Sequence, residues 1–383
     1  MVSETGRHEN PTETNASRTW TRRDLIVRGG RTIAVAGLAT GAAVYLHDPK
    51  GDAGLQPRAP IRLKDYFAKI KPDYPASAPR LSAAYGEPER IADLTHIRAL
   101  VEAAVAGLDR DLGISRFISR GDVVLLKPNV GFDRDPRLGA TTNPLVVQAV
   151  IQLCRRARAG RIIVADNPIE SPGACFAKSG IAAAAKAEGA TVMIYSSAHE
   201  RAVEIRPGRP EPARNEALGT WPIFWTPLKE ADKVIGLPVI KDHNLSSASM
   251  TMKNWYGLLS GRRNQFHQAI HDIISDLGYM MKPTLVIADG TRVMIRNGPT
   301  GGRLDDVQVG GITGRPTIVA AVDQVACDAW CYQNLLGRDP RDAKAPLQYI
   351  ELAYAKFGQD PGRIVARHWQ DYERQGLIAE TKL

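Results

Sequence analysis

Apolar and polar positions along this chain fall into blocks, and the period of the blocks switches in a regular order. Apolar residues recurring every three to four positions predict helices over 95–108, 143–158, 174–189 and 264–281. Between them stand short, nearly continuous apolar runs: Asp122-Val-Val-Leu-Leu-Lys-Pro, Arg161-Ile-Ile-Val-Ala-Asp, Thr191-Val-Met-Ile-Tyr, Lys233-Val-Ile-Gly-Leu-Pro-Val-Ile, Thr284-Leu-Val-Ile-Ala-Asp and Thr317-Ile-Val-Ala-Ala-Val-Asp. Strands that are apolar on both faces belong in a sheet covered on both sides, and helices between them supply parallel crossovers. The pattern therefore predicts an α/β fold, a mostly parallel sheet with helices on both faces in three layers, with insertions around 199–230 and 291–312.

The pattern is different before residue 81. The first sixteen residues are polar, then Thr21-Arg22-Arg23-Asp24-Leu25-Ile26 precedes a mild apolar stretch from Thr32 to Leu46. Those 15 residues fall short of the roughly 20 strongly apolar residues of a spanning helix. A charged segment, a short apolar segment and paired arginines have the layout of a twin-arginine export signal, with Thr21 and Leu25 at the flanking positions of that motif. Arg28 and Arg31 interrupt the start of the apolar stretch, and no small-x-small cleavage site follows Leu46, which leaves an uncleaved membrane tether open. We therefore expect a signal or anchor over 1–47, a Pro/Gly-rich tether over 48–80 and one α/β domain over 81–383. The partner of such a signal is the twin-arginine translocase, and the destination is the periplasm or another extracytoplasmic space.

Composition adds two limits. Lys+Arg 50 against Asp+Glu 41 gives a net charge of +9, but the basic residues are scattered and no zinc-finger or RNA-binding signature accompanies them, so no nucleic-acid partner is expected. The four cysteines are too dispersed for a disulfide framework, and Cys327 and Cys331, one helical turn apart, read as helix-packing residues.

In a parallel α/β sheet the ligand crevice lies beyond the carboxyl ends of the strands, so polar residues directly after apolar runs are the first candidates. Here they are Lys127 and Asn129, Asp166 and Asn167, Lys241 and His243, Asp289 and Asp323. Asp and Asn also end strands and cap helices, which lysine and histidine do not. Lys127, Lys241, His243, Lys253 and Asp289 are thus the candidate catalytic groups, with Asn129, Asn143, Asn254, Gly298 and Gly301 as candidate ligand-binding positions. The glycines of Asn297-Gly-Pro-Thr-Gly-Gly could bring backbone N–H groups to an anion or form a plain surface turn. His267 and His271 stand i,i+4 on the expected helix and, with His243, form a candidate metal set for a divalent or iron centre; a solvated helix edge is the alternative.

Lys127-Pro-Asn129, Thr142-Asn-Pro144, Lys241-x-His243, Lys253-Asn254-x-x-Gly257, His267, Asp289-Gly290 and Gly298-Pro299-x-Gly301, in that order, are similar to the family known as DUF362. The resemblance covers roughly 120–335 and implies an α/β domain that sometimes accompanies iron–sulfur modules. The absence of clustered cysteines makes an intrinsic ferredoxin-type cluster unexpected here. Two functions follow as expectations. One is an exported enzyme acting on an anionic small molecule; the other is a non-catalytic periplasmic ligand-binding or maturation factor.

Overall fold

The computed structural model describes residues 61–62, 74–205, 220–342, 347–357 and 368–383, all of which lie in one compact unit, Pro60–Leu383. The expected export signal and most of the tether lie outside the described residues. In chain order the strands are β1 (Ile61–Arg62), β2 (Leu81–Tyr85), β3 (Val123–Pro128), β4 (Arg161–Asp166), β5 (Thr191–Ile194), β6 (Glu200–Glu204), β7 (Thr220–Phe224), β8 (Lys233–Leu237), β9 (Val239–His243), β10 (Ser247–Ser249), β11 (Leu285–Met294), β12 (Val307–Val309), β13 (Thr317–Ala321) and β14 (Ile378–Lys382). The helices are α1 (Leu94–Ala106), α2 (Pro144–Arg156), α3 (Pro172–Lys178), α4 (Ile181–Ala187), α5 (Thr226–Glu230), α6 (Thr251–Asn254), α7 (Ile270–Met280), α8 (Gln324–Asn334), α9 (Gln348–Phe357) and α10 (Trp369–Arg374).

Eleven strands form the main sheet, whose continuous path is β14-β2-β13-β11-β8-β3-β4-β5, with β9 and β12 paired to β11 and β10 paired to β9. Along that path only β13 runs against its neighbours, so the sheet is mostly parallel. The two-residue period of the strands divides the core between the faces. Val124, Leu126, Ile162, Val164, Ile235 and Ile287 pack with α1, α2, α3 and α4. On the other face Val286, Ala288 and Val319 pack with α8, α9 and α10, while Leu125, Ile163 and Val234 pack with Trp255, α7 and the small sheet. These are the three layers that the apolar runs predict.

Four details depart from the sequence pattern. The stretch 174–189 is two helices, because Gly180 takes φ 73° between them and a left-handed residue ends a helical run. The stretch 264–281 starts as a 3₁₀ turn over Arg263–Ala269 and becomes α-helical only at Ile270. The expected insertion at 291–312 is partly sheet, since β11 continues to Met294 and pairs with β12. Finally, Ile61 and Arg62 pair with Val203 and Glu204, so a piece of the Pro/Gly-rich segment joins a three-stranded sheet built on the 199–230 insertion.

Candidate functional site

The end of β3 is locked to the end of β4 by a buried ion pair. Lys127 Nζ lies 2.7 Å from Asp166 Oδ1 and donates to Asn254 Oδ1 at 3.0 Å and to the Pro128 carbonyl at 2.9 Å, so three acceptors match its three protons. The amide of Asn254 returns a hydrogen bond to the Lys127 carbonyl at 2.9 Å, tying α6 to the sheet. Asp166 is equally engaged, accepting from the backbone N–H of Val130 at 2.7 Å and of Asn167 at 2.9 Å. Burial works against the charge on Lys127, and the carboxylate works for it. Glycine is required at 257 because a Cβ there would strike Asp166 Oδ1 and come within 2.7 Å of Lys127 Nζ.

Helix α6 is fixed from several sides. The carboxylate of Asp328 accepts the N–H groups of Thr251 and Met252 at 2.7 and 3.0 Å. The indole of Trp255 donates to Gln324 at 2.8 Å and lies over Gly236, where a Cβ would approach the ring to 2.9 Å. Burial raises the Asp328 carboxyl to about 7. Lys253 is thus carried on a rigid support, although its own ammonium group has no hydrogen-bond or ion-pair partner among the described residues and rests over the Tyr256 ring, 5.2 Å from the centroid.

A cleft enclosing about 550 Å³, including its open mouth, lies at these strand ends. Lys127, Lys241, Lys253 and Arg263 are its lysine and arginine side chains, Asp166 is its single carboxylate, and His267, Asn129, Phe132, Tyr256 and Pro299 complete the parts used below. Lys241 is buried, donates to the Ala140 carbonyl and lies 4.8 Å from the centre of the Phe132 ring. Desolvation and the neighbouring lysines push its pKa well below the ordinary lysine range. Desolvation first, then Arg263 and Lys127, bring Lys253 down to about 8, even though its half-buried side chain opens onto the cleft. Arg263 is also depressed by burial and holds the cleft wall by donating to the carbonyls of Tyr256, Leu259 and Pro168. His267 Nδ1 lies 2.8 Å from the Asn264 carbonyl, which can only accept, so in the neutral ring the proton sits on Nδ1 and Nε2 keeps its lone pair.

Of the residues singled out from the sequence, Lys127, Asn129, Lys241, Lys253, Asn254 and His267 line the cleft. Asp289 and Asn143 do not; they form a clamp. Asp289 accepts from the Asn143 N–H at 2.7 Å and from Thr291, while the Asn143 side chain caps α2 through the Leu145 N–H at 3.0 Å. Gly298 and Gly301 also stay out of the lining. A Cβ at Gly298 would strike the Asp242 carbonyl, and Gly301, at φ 66°, sits against Met294; of this loop it is Pro299 that reaches the cleft.

The three imidazoles do not converge as ligands. His267 and His271 are near enough for their charges to act on His243, yet no group of three His, Cys, Asp or Glu among the described residues is arranged to hold a metal ion. His243 Nδ1 accepts from the Leu245 N–H at 3.1 Å, and burial together with Lys253 and Lys241 drives its pKa down to about 2, so the ring is neutral. His271 lies against the Tyr349 ring. His267 lies in the 3₁₀ turn and His271 in α7, and Ala269 between them leaves helical geometry at φ −131° and ψ 43°, so the i,i+4 rule of a continuous α-helix does not apply. Asp166 and Asn167, two of the strand-end candidates, also line the cleft, and Arg263, Tyr256 and Phe132 join them without a sequence signal of their own. A signal existed for Asp166, an acidic residue ending the strand next to the one that ends in lysine.

Fold and cleft together define an α/β protein with a cleft rich in basic side chains at the carboxyl ends of its parallel strands. The chain belongs to the family described as Domain of unknown function (DUF362), whose model matches residues 124–333. It is also similar to the thylakoid-associated protein sll1697 of Synechocystis sp. (strain ATCC 27184 / PCC 6803 / Kazusa), 26% identical over 249 residues that cover 61% of this chain and 73% of the relative. No solved structure matches the chain. No helix among the described residues is long and apolar enough to cross a membrane.

Proposed function

We propose that the cleft binds an anionic small molecule and that the protein acts on it as an enzyme outside the cytoplasm. One observation carries the binding half of this reading: four basic side chains surround the cleft against a single carboxylate, and that carboxylate is already consumed by Lys127 and two backbone N–H groups. Charges held this close in a partly desolvated site repel one another, and an anion relieves that repulsion. The same charge pattern disfavours a divalent cation in the cleft itself. Lys253 and Arg263 supply the charge, Asn129 can orient an oxygen atom, and His267 Nε2 is placed to accept or return a proton. The extracytoplasmic location is supported by Arg22-Arg23 with the apolar stretch behind it, and by a relative whose name places it with thylakoids.

Thermal unfolding with added phosphate, citrate or a 2-oxo acid tests the binding. A ligand at a hundred times its Kd stabilises the fold by about 2.7 kcal/mol. The stabilisation should be largest near pH 7, where Lys253 is protonated, and should shrink above about 8, where it becomes neutral. If no anion raises the melting temperature, or if the effect is unchanged in Lys253→Met, the reading fails.

A further inference from the structure

We propose that Lys253 is a nucleophilic amine that forms an imine with the carbonyl carbon of an anionic carbonyl compound, a 2-oxo acid or its aldehyde equivalent, held in the cleft. This rests on the anion-binding reading above and gives its ligand a chemical class. Three lysines line the cleft, and their surroundings differ in what an amine nucleophile needs, an available lone pair and a route of approach. Lys127 gives its three protons to Asp166, Asn254 and the Pro128 carbonyl, and is closed off by Gly257. Lys241 is wholly buried, donates to Ala140 and sits against Phe132. Lys253 has neither acceptor nor counter-ion among the described residues and faces the open volume.

Every charged group around Lys253 favours the neutral amine. Arg263 and Lys127 repel its proton, and Asp166 is paired with Lys127 rather than with Lys253. An amine held near 8 has far more neutral form at pH 7 than an ordinary surface lysine. Tyr256 touches both participants: Lys253 Nζ lies 5.2 Å from its ring centre and the His267 ring 5.8 Å from it. In the reaction the Lys253 nitrogen bonds to the carbonyl carbon and the carbon–oxygen π pair moves to oxygen. His267 Nε2 carries the two protons that leave nitrogen to that oxygen, which departs as water and leaves the C=N bond. No oxidant or reductant is needed.

The experiment uses the full chain with glyoxylate or pyruvate, reduction by cyanoborohydride, and peptide mapping by mass spectrometry. The adduct should fall on Lys253 at least about tenfold above any other lysine. Excess phosphate should suppress it. Lys253→Arg should lose the adduct while keeping the anion-dependent rise in melting temperature, which separates the covalent step from binding. No adduct at Lys253 with either compound, or labelling that follows surface exposure, overturns the imine. If anions still stabilise the fold in those samples, the binding reading survives alone; if they do not, both are lost.

Discussion

Lys127 and Lys253 line one cleft, yet their surroundings are opposite. Around Lys127 every polar atom has a partner: its ammonium meets three acceptors, Asp166 meets the ammonium and two N–H groups, and Gly257 presses against the pair. Around Lys253 the backbone is held as firmly, by Asp328 and Trp255, but the ammonium itself is left to the cleft. A buried charge with all its hydrogen bonds made is a structural joint, whereas one held in place and left without a counter-ion is ready for something from outside. Residue type and position at a strand end do not separate the two roles. Hydrogen-bond satisfaction does.

The largest effect should come from breaking the joint. Asp166→Ala leaves Lys127 buried without a counter-ion and the N–H groups of Val130 and Asn167 without an acceptor, and should cost about 3–5 kcal/mol of stability in chemical denaturation. Replacing both partners, as Lys127→Met with Asp166→Leu, should return a good part of that loss. A loss below about 1 kcal/mol for the single change would mean that the pair is solvated and the contrast false.

How the sequence misleads is clearest at Asp289 and Asn143. Periodicity identifies the layers and the apolar strands at the centre of the sheet, because runs of five or six apolar residues between helical segments fit a strand buried on both faces; the short or polar strands such as β6, β10 and β14 leave no such run. It also points to the sheet edge where the cleft opens, and several of the residues it nominates line that cleft. What it cannot distinguish is an Asp that faces a ligand from one that faces its own backbone. Asp289 and Thr291 belong to one strand and Asn143 opens a helix nearly 150 positions earlier, so their clamp exists only through the sheet register. The i,i+4 pairing of His267 with His271 is equally illegible, since a helical wheel assumes an α-helix where the chain makes a 3₁₀ turn.

Asp289→Ala sharpens that distinction. It strips acceptors from the buried N–H groups of Asn143 and Thr291, and should cost about 1–3 kcal/mol while leaving the anion-dependent shift intact. Loss of the anion effect at unchanged stability would put Asp289 back among the binding residues.

The support under Lys253 has its own pH signature. Burial raises Asp328 to about 7, so the folded chain binds a proton that the unfolded chain releases near the ordinary aspartate value, about 4. The contribution to stability is complete below that ordinary value and fades as pH rises through 7. In Asp328→Asn the fall in stability between pH 5 and pH 8 should flatten; an unchanged slope would assign it to other groups.

The smallest change in stability, and the most direct comparison with Asp166→Ala, should come from Lys253→Met. Because the folded environment lowers the pKa of Lys253 to about 8, its contribution to stability is present above the ordinary lysine value and lost as pH falls through 8. At pH 7 the protonated side chain is therefore a net cost to the fold, carried beside Arg263 and Lys127. Removing it should leave the protein at least as stable as the parent at pH 7, within about 0.5 kcal/mol or better, while the anion-dependent rise in melting temperature disappears. A loss of more than about 1 kcal/mol at pH 7 would show that Lys253 is held by partners as Lys127 is, and the two lysines would then be two joints of one scaffold.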